Sequence, residues 1–162
     1  FENPAANKIL HNLEEDIDAV RLDDRDVPVK LRVYDSIFVP LAKWSMLLTG
    51  NYRSITRSQP RSIRDAVHSD LNKSRAIYEF VDSLAQRLGA TPTDAVPFDK
   101  YAKAAESLLK PSSAARAVAA GAPFIERVDV LVQLIAKDLG VSNSEIDETV
   151  NTVDEQLESN LL

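Results

Sequence analysis

Between Asp70 and Gly89 the apolar residues Leu71, Ile77, Val81, Leu84, Ala85 and Leu88 recur at spacings that gather them on one side of a helix. Both ends are marked, because an aspartate side chain can accept from the first-turn amides and a glycine can take the left-handed conformation that stops a helix. The same grammar recurs along the chain. Asn3-Pro4 precedes Ile9, Leu13, Ile17 and Val20, which predicts a helix over about 4–20. Phe98, Tyr101, Ala102, Ala105, Leu108 and Leu109 predict a helix ended by Pro111. Ser112 or Ser113 caps residues 114–120 up to Gly121, and Pro123 restarts a helix that carries Ile125, Val128, Leu131, Val132, Ile135 and Leu139 to Gly140. Ser142 with Glu145 matches a capping box for a last helix through about Ser159.

Strand-like alternation is weak everywhere, with Val27 to Val33 the one candidate. The stretch 21–26 is almost wholly charged and Pro28 follows it, which predicts an exposed linker. The most apolar run lies between Tyr34 and Thr49; Pro40 fits a first turn or a kink, and Gly50-Asn51 fits a stop. Only four of 162 residues are glycine and 6% are aromatic, too few for architectures built on many tight turns. The expectation is an all-α, multi-helix domain of six to eight helices. Residues 1–35 form an N-terminal helix and charged linker and residues 36–162 a helical domain, within one compact domain overall.

A net charge of −6 lacks the basic surplus of a nucleic-acid footprint, so DNA and RNA are not expected partners. One basic cluster exists, Arg53, Arg57, Arg61 and Arg64, with Asp65 and Asp70 close behind; it fits a solvated loop and helix start, or a site for a small anion. With no cysteine and only His11 and His68, neither disulfide chemistry nor a zinc centre is expected. No stretch approaches the ~20 apolar residues that cross a bilayer, which points to a cytoplasmic protein without a membrane partner. The start at Phe1 rather than Met suggests trimming or excision from something longer.

Within the apolar run Lys43 stands out, with Val39 and Leu47 as its one-turn neighbours on a helix. Partial burial there would lower its pKa towards the range useful for proton transfer, whereas a snorkelling lysine would only pack its stem. Asn51 lies eight residues on, about ~12 Å along a continuous helix, so the two side chains could flank one small molecule; a helix C-cap is its other reading. Ser112-Ser113 reads as a cap or as a carboxylate-binding helix start. Glu126 reads as a first-turn carboxylate or as a partner for Lys43.

Taken together, these positions resemble the C-terminal helical domain of the ketopantoate reductase (2-dehydropantoate 2-reductase) family, of the 6-phosphogluconate-dehydrogenase-like oxidoreductases. The resemblance runs roughly from Phe38 to Val141. Lys43 fits the family's lysine and Asn51 the second of its two asparagines, with Leu47 in the place of the first. Ser112-Ser113 and Gly121-Ala122-Pro123 match a Ser-Ser, helix, Gly-x-Pro segment, and Glu126 falls one residue after the family's glutamate. Ala117 stands where an aspartate is usual, and the runs ending in Leu88-Gly89 and Gly140-Val141 are also similar.

The resemblance implies the substrate-binding and dimerisation half of an NADPH-dependent reductase of a small 2-keto acid. Lys43 and Glu126 would be catalytic, Lys43 polarising the ketone and supplying a proton, while Asn51 and Ser113 orient the acid. No G-x-G-x-x-G turn occurs before Asp35, so NADPH would belong to a full-length protein with a dinucleotide-binding domain, and this chain alone would hold no cofactor and show no activity. A homodimer is expected. Leu47 and the displaced Glu126 favour the alternative, a standalone, non-enzymatic helical module for protein–protein interaction.

Overall fold

A computed structural model describes residues 3–34 and 36–161, and the chain divides into two compact units, Phe1–Ile37 and Phe38–Leu162. In the first, α1 (Pro4–Ala19) starts as the sequence predicts, with the Asn3 side chain accepting from the Ala5 amide at 2.9 Å and Pro4 in the first turn. None of its residues is buried. Arg32 reaches back to Glu14 and Asp18 of this helix, each at 3.0 Å, and its hydrogen bonds hold both carboxyls below the usual carboxylate range.

The charged linker is not a plain loop. Arg21–Leu22 (β1) pairs antiparallel with Arg25–Asp26 (β2), and the Arg21–Asp26 ion pair closes the ladder at 2.9 Å. The two-residue turn needs positive φ at both positions, and Asp23 (50°) and Asp24 (59°) supply it, aspartate being among the few side chains that tolerate that region. The stretch from Val27 to Val33 forms no strand.

The second unit contains seven α-helices among the described residues: α2 (Ala42–Met46), α3 (Ile63–His68), α4 (Leu71–Arg87), α5 (Phe98–Ala105), α6 (Ser113–Ala119), α7 (Val128–Asp138) and α8 (Ser144–Leu161). The all-α expectation therefore holds, and no helix is long and apolar enough to cross a membrane. The Asp70 carboxylate caps α4 through the Lys73 amide at 2.9 Å. Beyond its end, Gly89 takes φ 116°, and a Cβ there would stand 2.8 Å from the Phe38 ring, so both conformation and space demand glycine. Asn143, not Ser142, caps α8, accepting from the Glu145 amide at 3.0 Å.

Three helix boundaries depart further from the sequence expectation, each through a distant contact. The helix entering through Pro40 does not stop at Gly50. After Met46 it widens into a π-helical turn over Leu47–Asn51 and tightens into a 3-10 turn over Tyr52–Ser54. Gly50 is required for close packing: a Cβ there would fall 2.2 Å from the Tyr101 hydroxyl and 2.9 Å from Ile63 Cγ2. Next, α5 ends at Ala105 rather than Leu109, because the carbonyls of Leu108 and Lys110 turn to accept from the Arg64 and Ile63 amides, free donors at the start of α3. Finally, α7 starts at Val128 rather than Pro123. The Tyr52 hydroxyl donates to the Glu126 carbonyl at 2.5 Å and accepts from the Val128 amide at 2.9 Å, satisfying groups that an earlier helix would have paired internally.

The core falls into two clusters. The larger joins Leu48 and Tyr52 to Ile77, Val81 and Leu84 of α4, Val132 of α7, and Ile146, Val150 and Val153 of α8. The smaller packs Val67, Tyr78, Phe98, Tyr101, Ala102 and Ala105, with the Tyr78 and Tyr101 rings stacked 5.4 Å apart.

Candidate functional site

The chain from Asn51 to Ser54 is held against the start of α6 by a relay of hydroxyls. Ser112 caps α6 by accepting from the Ala115 amide at 3.0 Å, and its Oγ donates to the Asn51 carbonyl at 2.8 Å. Its own amide donates to Ser54 Oγ at 3.1 Å, and Ser54 Oγ donates in turn to the Arg61 carbonyl. Ser112 is 2% exposed; its bonds to the Ala115 amide and Ser54 are buried and the one to Asn51 is half-buried. Of the adjacent serines, Ser112 takes the structural position, which leaves Ser113, the first residue of α6, exposed.

Beside this junction lies a hollow of about 480 Å³. Asn51 and Ser113 both line it, although 62 positions (113 − 51) separate them in the chain. Ile63, Leu108 and Leu109 give it an apolar side, and Lys110 and Arg116 a cationic one. Arg116 Nη2 reaches Ser113 Oγ at 3.3 Å. Among the described residues no carboxylate lines the hollow. A ligand with a short hydrocarbon part and one negative charge is complementary to that mixture, since the acid meets two cations and no repelling group.

Lys43 and Glu126 do not line this hollow. Lys43 is exposed on α2, where the sequence suggested partial burial. The continuous α-helix expected to link it to Asn51 is interrupted by the π-helical turn. Glu126 is exposed ahead of α7, contributing its main-chain oxygen to Tyr52. Lys43 makes no ion pair among the described residues, so the two are not a salt bridge.

The first-turn acidic position of α7 belongs instead to Asp129, which is fully buried. Arg127 holds it at 2.9 Å and reaches Asp154 of α8 at 2.5 Å. Burial works against the Arg127 charge, but the hydrogen bonds to these two carboxylates outweigh it and raise its affinity for the proton. Sequence reading missed this cluster and Tyr52. An Arg-x-Asp at a helix start was the visible signal for the first, and nothing local marked the second. No protein-family model, curated protein or solved structure matches the chain.

Proposed function

We propose that this chain is the substrate-binding and dimerisation half of a ketopantoate-reductase-like, NADPH-dependent oxidoreductase acting on a small 2-keto acid. The observation that carries the reading is the convergence of Asn51 and Ser113 on one cationic hollow. In this reading the Asn51 amide and the Ser113 hydroxyl hydrogen-bond the keto acid, Lys110 and Arg116 attract its carboxylate, and Leu108 and Leu109 cover its hydrocarbon part. The resemblance assigns proton donation to Lys43 and support to Glu126, but both lie outside the hollow, so the hollow accounts for holding the acid and their catalytic role rests on the resemblance alone.

The described residues do not fit a dinucleotide. Their strands are the two-residue pair β1 and β2, with no glycine-rich turn leading into a helix. NADPH therefore belongs to a separate half in this proposal.

With a dinucleotide-binding half joined to the chain, NADPH oxidation should depend on ketopantoate. Lys43→Ala should lower kcat at least 100-fold with an unchanged melting temperature, whereas Asn51→Ala should chiefly raise KM. Full activity of Lys43→Ala would contradict the assignment.

The exposure of Phe124 (77%), and of Leu131 and Leu134 one helical turn apart on α7, favours a second reading as a non-enzymatic interaction module. That reading expects a stable dimer or hetero-complex and no saturable binding of keto acids.

A further inference from the structure

Elsewhere in the second unit, the turn after Asn51 and the start of α4 face α8 across a cleft of about 390 Å³. Three of the four clustered arginines line it, Arg53, Arg57 and Arg61, while Arg64 lies outside and pairs with Asp65. The outer cations are already matched. Arg57 binds Glu148 and Glu155 of α8 at 2.5 and 2.6 Å, and Lys73 binds Glu145 at 2.8 Å. Asp70, the remaining acidic residue of the lining, accepts from the Lys73 amide through one oxygen.

Arg53 and Arg61 differ from these. Arg53 is only 9% exposed, yet its guanidinium makes no ion pair among the described residues; Nη1 donates to the Thr49 carbonyl at 3.2 Å and to Ser74 Oγ at 2.9 Å. Arg61 is partly buried, likewise has no carboxylate partner among the described residues, and uses Nε on the Arg53 carbonyl at 2.8 Å. Nε and Nη2 of Arg53 and both Nη atoms of Arg61 are left without acceptors among those residues. Arginine cannot shed its proton to escape burial, so the two cations lining the cleft are compensated only at a distance, Arg53 by Glu145 and Asp70 and Arg61 by Asp65, and their unbonded nitrogens open to the cleft. Burial, followed by the charge of Arg61, disfavours the Arg53 cation, and Glu145 and Asp70 offset this in part.

We propose that this cleft binds a phosphate dianion, free or as a small phosphomonoester, between Arg53 and Arg61. A dianion cancels both charges, where a carboxylate would leave one. Its oxygens accept from paired N–H donors in the fork geometry that guanidiniums present. The volume beyond the arginines has room for the group that an ester carries. This site shares no lining residue with the keto-acid hollow and does not rest on that reading.

Titration calorimetry of the full chain at 0.15 M salt tests it, with inorganic phosphate, phenyl phosphate and acetate as probes. One phosphate should bind per chain, with acetate at least tenfold weaker. Tighter binding of phenyl phosphate would identify an ester as the ligand, and equal binding free phosphate. Arg61→Gln should weaken binding at least tenfold, while Arg87→Gln, which removes a charge outside the cleft, should stay within twofold. Amide NMR of the unaltered chain gives the location independently of any variant, since the signals of Arg53, Arg61 and Ser69 should move on saturation. No saturable phosphate binding, equal affinity for acetate, full affinity in a folded Arg61→Gln, or shifts confined to other residues would each overturn the proposal.

Discussion

Ser112 Oγ donates to the Asn51 carbonyl at 2.8 Å while accepting from the Ala115 amide at 3.0 Å, so one buried hydroxyl both caps α6 and ties it to the turn that follows α2. That double use places Asn51 and Ser113 on the same hollow. Ser112→Ala removes a helix cap and leaves the half-buried Asn51 carbonyl without its protein partner. The expected loss is about 2 kcal/mol of unfolding free energy by urea denaturation. Ser113→Ala, at an exposed position, should change stability by less than about 0.5 kcal/mol.

Gly50→Ala should destabilise the second unit. The added Cβ has no free space, because the Tyr101 hydroxyl that it meets is held by a hydrogen bond to the Met46 carbonyl at 3.1 Å. Overpacking of this kind costs about 2 kcal/mol. A variant as stable as the parent would show that the π-helical turn relaxes freely.

Thr49→Val should act in the opposite direction. Thr49 is fully buried, and its hydroxyl has no hydrogen-bond partner among the described residues. A valine of the same shape removes that unsatisfied group, and a gain of about 1 kcal/mol is expected in the same denaturation assay.

Alkaline pH should unfold the protein through its buried tyrosines. Burial pushes the Tyr52 and Tyr78 hydroxyls up from 10.0 to about 12, and moves Tyr101 in the same direction. A raised folded-state pKa means that these groups contribute their full stability below about pH 10, the unfolded value. The contribution is lost as pH climbs through about 12. Ultraviolet titration should therefore show these phenolates appearing together with the loss of helical circular dichroism. Their ionisation near pH 10 in a folded chain would contradict the burial.

What was legible in the sequence was chemistry confined to a turn or two. Asp70 at the start of α4, Gly89 beyond its end and Ser112 before α6 act where the spacing of neighbouring residues placed them. Two misreadings were local, the Asp23-Asp24 hairpin turn and the cap at Asn143 rather than Ser142, and the larger ones are long-range. Tyr52 delays α7 from a distance of 74 residues, and the α3 amides draw the chain out of α5 at Leu108. Gly50 looked like a helix stop because its neighbour Tyr101 lies 51 positions away (101 − 50). For the candidate site, the types and spacing of Asn51 and Ser113 were visible. Lys110 and Arg116 were not, because their meaning depends on the fold that brings them beside Asn51.

The most direct test of the account is an NMR titration of the isotopically labelled chain with ketopantoate, repeated on Asn51→Ala. The account predicts saturable shifts centred on Asn51, Ser113 and Arg116, and affinity at least tenfold weaker in the variant. Absence of saturable shifts, or shifts that leave these residues untouched, would contradict the assignment of the hollow as a keto-acid site.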